Sequence, residues 1–481
     1  MRVLLVSHDF LPAHPAGTEI YTYQLGKRLQ ERGHDVHVFT TEKDIGRQNL
    51  TVHLREYDGL PVHELVNNLF YNEFQETWDY PPAARSFALF LDDLKPDVVH
   101  FMHLMYLSVG CLEEVARRNI PVYYTLHDYW LQCPRFGQRV HADRSVCHVI
   151  DHGRCGECLA DFKFKQSRVQ RATAKAIARV HGVTGVDLGP AARKLAARME
   201  PPERAATRAE GLQGFEGHAL EEQEQRSSAP LNERGLEVRQ RDQALRERIL
   251  PVVDRFVAPS RFLRQSFIDW GIPEEQIAHM RTGIDLRPFE GFQREPGQKL
   301  RIGFIGTVVP HKGLHVLLRA WGRLDPELRE RAELVCYGPT SHSPDYVKVV
   351  RDLAQRVGVS LSGALRSEEV PKALARIDLL VVPSVWYENS PLIILEGLAT
   401  RTPLLVSNLG GMAELVDPGR SGYHFEVGSA ESLADELGRA IEDPEHLGQL
   451  YPEAFEVRPV DRDAEELEGW YTEALAARRE G

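Results

Sequence analysis

PSVWYENSPLIILEGLATRTPLLVSNLGGMAELV, residues 383–416, decides how the rest of the chain is read. It overlaps LLVVPS (379–384), an apolar run with the length and β-branched content of a buried strand. After the loop VWYEN come Ser390, a good N-cap, and Pro391, suited to the first helical position because the N–H it lacks would be unpaired there anyway. A helix is therefore expected over PLIILEGLA, followed by the strand PLLVSN (403–408). Strand, helix and strand in that succession make a βαβ unit, and its parallel strands call for helices on both faces of a sheet. The helix begins at the carboxyl end of a strand, where open parallel sheets bind ligands, and its free N–H groups favour an anion. Glu388 falls in the loop and Glu396 in the second turn, roughly 7 Å further along the axis. Burying unpaired carboxylates is costly. A carboxylate in a cleft can accept from sugar hydroxyls and a deeper one from a ribose diol, with phosphates held between them at the helix tip. In isolation the two read equally as ordinary helix-end acids.

The same grammar runs outward in both directions. KLRIGFIG (299–306) is a strand, TVVPHKG a turn and GLHVLLRAWGRL a helix, with ELVCYG (333–338) a further strand. Lys312 stands beside Gly313 just before that helix, where it either reaches a phosphate as a point charge or is simply solvated. At the start of the chain RVLLVS leads through HDFLPAHPAGTE into IYTYQLGKRLQERG and then DVHVFTT, and DVVHF (97–101) and VYYTLH (122–127) add strands. Gly17 marks a place where the backbone turns sharply or comes close to something, and the absence of GxGxxG argues against a nicotinamide dinucleotide. The pattern is read as restarting at RFVAPS (255–260). With 481 residues the chain exceeds one ordinary core, so the expectation is α/β with two similar domains, 1–254 and 255–460, and a ligand cleft between them.

Acidic residues number 70 against 58 basic ones, a formal charge of −12, which disfavours a nucleic-acid partner. The start lacks the pattern of a secretory signal and no apolar run approaches the ~20 residues needed to cross a bilayer, so a cytoplasmic protein is expected. Residues 162–186 carry six Lys or Arg and no acid opposite an apolar stripe, and are read as a basic amphipathic helix, either a solvated face or a peripheral contact with an anionic membrane. Residues 195–250, rich in Glu, Arg, Gln and Ala, are read as a charged insertion ending in a helix near 232–249. Cys133, Cys147, Cys155 and Cys158 cluster in one loop, 133–158, and suggest either a structural zinc site or free, redox-responsive thiols. His141, His148 or His152 could replace one ligand, while Cys111 and Cys336 lie in apolar context and read as core.

Taken together, the Glu388/Glu396 segment with its GG, AGTEIYTYQLGKRLQERGHDVHVFT, TLHD (125–128), FVAPS, RTGID and GTVVPHKG resemble retaining glycosyltransferase family 4 over nearly the whole chain. The resemblance implies the GT-B fold, two facing Rossmann-like domains, with the final helix (461–481, containing WYTEAL) crossing back to the first. It implies a nucleotide-sugar donor, UDP- or GDP-linked, and a glycan or lipid-linked acceptor, in the assembly of a cell-surface polysaccharide or other glycan. Glu388 would take the sugar hydroxyls, Glu396 the ribose and Lys312 the diphosphate, with His127 on the sugar and Gly17 offering its N–H. Asn389, Ser390, Pro391 and Leu392 at the helix tip complete the donor set, and no divalent metal is required. The family often has an arginine where this chain has Thr307. Two other readings stay open: a GT-B sugar-nucleotide epimerase, which would need acid and base residues in place of an acceptor site, and a non-catalytic nucleotide-sugar or carbohydrate binder.

Overall fold

The structure, a computed structural model, describes residues 1–160, 229–451 and 456–480 together with residues 162, 164, 172, 173, 176, 177 and 180. The basic helix expected over 162–186 and the first part of the charged insertion lie largely outside the described residues.

Two sheets form. The first contains β1 (Arg2–Val6), β2 (Asp35–Glu42), β3 (Val52–Tyr57), β4 (Leu60–Val66), β5 (Val98–Phe101), β6 (Val122–Thr125), β7 (Arg255–Ala258) and β8 (Ile277–His279), in the order β3-β4-β2-β1-β5-β6-β7-β8. The second holds β9 (Leu300–Ile305), β10 (Ala332–Tyr337), β11 (Leu379–Val382), β12 (Leu404–Ser407) and β13 (Gly422–Phe425), in the order β10-β9-β11-β12-β13. All ladders are parallel except β3 with β4. Alternation along β1 shows why helices cover both faces: Leu4 and Val6 join one buried cluster, Val3 and Leu5 the other.

The boundary expected at residue 255 is wrong. β7 pairs with β6 in the first sheet and β8 pairs with β7, so RFVAPS closes the first domain, and the second sheet begins only at Leu300. A strand sequence carries no mark of the sheet it joins, and the intervening insertion made a continuation resemble a restart. The β3–β4 hairpin was also missed, although its turn, Asp58-Gly59 with φ of 49° and 77°, is a common two-residue hairpin signal.

The helix Glu233–Ile249 is confirmed at the end of the insertion, and it is part of the core. Val238, Leu245 and Ile249 are buried, and the fully buried Arg241 donates to the carbonyls of Leu131 and Trp130. Few large apolar residues sufficed because polar ones were buried with partners.

The final helix, Val460–Glu480, crosses back to the first domain. Val460, Ala464, Leu467 and Tyr471 are buried against Tyr21, Leu25 and Leu29, and the Tyr123 hydroxyl donates to Trp470 O at 2.6 Å. Asp463, fully buried, accepts from Tyr21 Oη at 3.0 Å, from Gly283 N at 2.8 Å and from Arg458. The helix thus ties together the first domain and the crossing segment near Gly283.

Candidate functional site

The turn after β9 is pressed against the end of β11. Gly313 sits at φ 72°, and a Cβ there would lie 1.7 Å from Pro383 O, so only glycine permits the approach. That contact carries Lys312 to the opening of the loop after β11, where Lys312 Nζ donates to Glu388 Oε1 at 2.6 Å. Ser384 Oγ donates to the same oxygen at 2.6 Å. Glu388 is buried, which by itself raises its pKa, yet Lys312 and these hydrogen bonds outweigh burial and hold the carboxyl below its usual value. Lys312 and Glu388, read from sequence as serving different parts of a ligand, therefore meet directly. The loop is backed from below by the GG step: a Cβ on Gly411 would lie 2.1 Å from Asn389 O.

The helix begins one residue later than expected, spanning Leu392–Ala399 with Pro391 as its N-cap. Ser390 makes no capping bond, because Pro391, at φ −62° and ψ 121°, is still extended and leaves it one residue outside the helix. Its Oγ is buried without a partner, as are Asn389 Oδ1 and His127 Nε2. Native buried polar atoms are nearly always paired, so these atoms at a helix N-terminus are left free to pair with a polar ligand. Asn389 Nδ2 donates to His127 O at 2.9 Å, which brings the end of β6 to the second-domain loop. His127 is held neutral, its pKa pushed to about 3 by burial and then by His103. Glu396, half-buried, has its pKa pushed up to about 7 by burial, with no cation beside it among the perturbing groups.

Two expected positions are less decisive. Gly17 is the first residue of the helix Gly17–Glu31, its φ is not positive and a Cβ would meet nothing within 4 Å, so the chain's own packing does not demand glycine. Thr307 is half-buried, brings no charge, and accepts from Val309 N at 2.9 Å.

A cluster that sequence reasoning passed over faces this loop from the first domain. His8 and Asp9 follow β1, His103 follows β5 and Asp128 follows β6, all at strand carboxyl ends. His103 Nδ1 accepts from Met105 N at 2.9 Å, so its Nε2 bears the proton donated to Asp128 Oδ2 at 3.0 Å. The His8 ring lies 4.3 Å from that of His103, with Glu19 Oε1 3.6 Å from its Nδ1 and Asp9 Oδ2 3.7 Å from its Nε2. The signal was present: VSHD, FMH and TLHD repeat the same strand-end pattern three times.

Glu19, only 1% exposed, has its pKa raised to about 8, mainly by burial. Between its usual value of 4.5 and about 8 the unfolded chain loses this proton while the folded one keeps it, so the group makes stability fall as pH rises. Glu19→Gln is expected to flatten that slope and to stabilise the protein by on the order of 3 kcal/mol at pH 8, with little change at pH 4. Thermal unfolding of both proteins at the two pH values measures it, and equal slopes would refute it.

Residues 15–187 match the Glycosyltransferase Family 4 family and residues 288–457 the Glycosyl transferases group 1 family. The chain belongs to the family 4 glycosyltransferases, with the GT-B fold. This family 4 chain is 28% identical over 210 residues to the lipopolysaccharide 1,2-N-acetylglucosaminetransferase of Salmonella typhimurium, covering 40% of this chain and 54% of the relative. It is 32% identical over 186 residues to a D-inositol 3-phosphate glycosyltransferase of Corynebacterium urealyticum, covering 35% and 43%. It thus spans about half the length of the curated relatives it matches. Among solved structures it resembles Anabaena HepE in complex with UDP and glucose, at TM-score 0.61 and 15% identity over 98% of this chain and 99% of that one. The sucrose-phosphate synthase of Thermosynechococcus elongatus follows at TM-score 0.59 and 15% identity, over 99% of each chain. At such identities the likeness establishes the fold.

The four cysteines of this family 4 chain are free thiols within electrostatic reach of one another. Burial and then the neighbouring thiols raise Cys155, and burial pushes Cys147 up to about 11. His141 Nδ1 lies 3.3 Å from Cys158 Sγ. The donor chemistry suits zinc, but the arrangement does not form a coordination sphere: among the described residues no group of three or more His, Cys, Asp or Glu is placed to hold a metal ion. The loop's visible role is mechanical, since His148 Nδ1 and Tyr387 Oη meet at 2.6 Å beside Glu388.

Proposed function

We propose that this protein transfers a sugar from a nucleoside diphosphate sugar to a glycan or lipid-linked acceptor with retention at the anomeric carbon. The observation that carries this reading is the Lys312–Glu388 pair beside a helix tip with unpaired Ser390 and Asn389 atoms, facing His127 across the cleft. Breaking the anomeric C–O bond builds positive charge on the sugar and negative charge on the departing phosphate, and a fixed ammonium with a helix N-terminus stabilises the latter. The acceptor hydroxyl oxygen forms the new bond to the anomeric carbon and its proton passes to the leaving phosphate, so no enzymic nucleophile is assigned. Glu396 is the residue for the ribose diol, and Gly17, Thr307, Pro391 and Leu392 line the approach of the donor. UDP-linked sugars are the first choice for testing, GDP-linked ones the second.

The test is a thermal-shift screen of UDP- and GDP-sugars, then nucleotide release with and without saccharide acceptors, using Glu388→Ala and Lys312→Ala as controls. Binding with no release from any donor would favour the non-catalytic binder, the reading for which Thr307 in the arginine position speaks. No binding of any donor would end both. Assembly of cell-surface glycan on the cytoplasmic side, with 162–186 resting on an anionic membrane, belongs to the same proposal and is checked by vesicle sedimentation. No helix among the described residues is long and apolar enough to cross a membrane. Zinc on Cys133, Cys147, Cys155 and Cys158 rests only on the closeness of four thiols and would require them to draw together; metal analysis of the purified protein decides it, and metal-free protein of unchanged stability would dismiss it.

A further inference from the structure

The first-domain wall of the cleft is unfinished in a specific way. Glu19 Oε2 and His8 Nδ1 are buried without hydrogen-bond partners, and His127 Nε2 beside them is also unpaired. Asp9, partly exposed, has only long contacts, 3.7 Å to His8 and 3.8 Å to His14. Asp128 is held rigidly, Oδ1 by Trp130 N at 2.7 Å and Oδ2 by His103. Asp9 and Asp128 supply the acceptors, Glu19 with its raised pKa keeps its proton near neutral pH, and burial lowers both His8 and His127 so that neither supplies a positive charge. Cations are scarce: Lys43 is drawn over the Tyr106 ring at 4.0 Å, and Arg55, which reaches this loop at Leu11 O, is paired with Glu64.

Resting on the transferase reading, we propose that this wall receives the acceptor as an uncharged, polyhydroxylated ring, its hydroxyls bonded by Asp9, His8 and Asp128, and rejects rings bearing a phosphate or carboxylate. A hydroxyl both donates and accepts, which matches a surface of carboxylates and neutral imidazoles. A phosphate would sit beside Asp9 and Asp128 with, among the described residues of this wall, Lys43 as the nearby cation, and like charges at such range are strongly disfavoured. The selectivity thus differs from what the name of the inositol 3-phosphate relative implies for that protein.

The experiment uses full-length protein and whichever donor the screen identifies, and follows nucleotide release with glucose, N-acetylglucosamine and myo-inositol against glucose 6-phosphate, glucuronate and inositol 3-phosphate. The neutral set is expected to accelerate release with kcat/KM at least about tenfold above its charged counterparts. In Asp9→Asn the ratio should fall towards unity for the phosphorylated rings, a change that a purely structural role for Asp9 would not produce; Asp128→Asn serves if that variant does not fold. Equal or better use of the charged rings overturns the proposal, and so does a response to neither set while donor hydrolysis persists. Absence of donor binding and hydrolysis altogether is a different result, which removes the transferase reading and this inference with it.

Discussion

Lys312→Met is expected to lower kcat/KM by about 10² to 10³, the range found when one fixed donor to developing negative charge is removed. Two effects combine. The departing phosphate loses its ammonium, and Glu388, which Lys312 holds ionised at 2.6 Å, becomes a buried carboxylate with neutral donors but no cation bonded to it. The second effect is visible in stability, a loss of about 3 kcal/mol at neutral pH. Its pH dependence has a definite sign. The wild-type carboxyl is held below its usual range, so the pair stabilises above that range and the benefit disappears as pH falls through the folded value. In the variant burial, the largest influence on this carboxyl, is no longer opposed by the ammonium and raises it, so the stability gap between the two proteins should narrow in acid. Lys312→Met with Glu388→Gln should recover most of the stability and none of the activity. A double variant as active as the wild type would mean that the pair is structural and that the chemistry lies elsewhere.

Asp463→Ala is expected to destabilise the protein by about 3 to 5 kcal/mol, because it strands two buried donors, Tyr21 Oη and Gly283 N, and removes one of the two carboxylates on Arg458, which keeps Glu466 at 2.6 Å. These belong to the first-domain helix, the crossing segment and the approach to the final helix, so the loss is one of domain tethering as well as of packing. The first thermal transition should move down by about 10 °C, and Asp463→Asn, which keeps one acceptor oxygen, should lie between the two. A calorimetric transition unmoved by Asp463→Ala would show that the final helix is held by Val460, Leu467 and Tyr471 alone.

The residues at the second-domain loop were legible because each had a local reason. Gly313 precedes a helix, Glu388 and Asn389 interrupt an apolar run, and Glu396 lies on a short helix after a strand end. What could not be read locally was pairing across distance. Nothing in the spelling of RFVA says that it adds to β6 rather than opening a new sheet, and nothing in GTVVPHKG says that its lysine will rest on Glu388, 76 residues away. The burial of Arg241 was equally hidden, since a helix of charged residues is ordinarily solvated, and it is the carbonyls of Trp130 and Leu131, with the Trp130 ring and Asp242, that make an interior position tolerable. Ser390 is the instructive miss. Its residue type suits a cap, but the helix starts after Pro391 and leaves the hydroxyl unpaired.

The most direct test of the account compares two affinities in one pair of proteins by isothermal titration: the nucleoside diphosphate sugar and the bare nucleoside of the same base, each against wild type and Lys312→Met. If the ammonium and the helix tip grip the diphosphate, the variant should bind the diphosphate sugar about 10- to 100-fold more weakly and the nucleoside unchanged. Equal affinities of both proteins for the diphosphate sugar would contradict it.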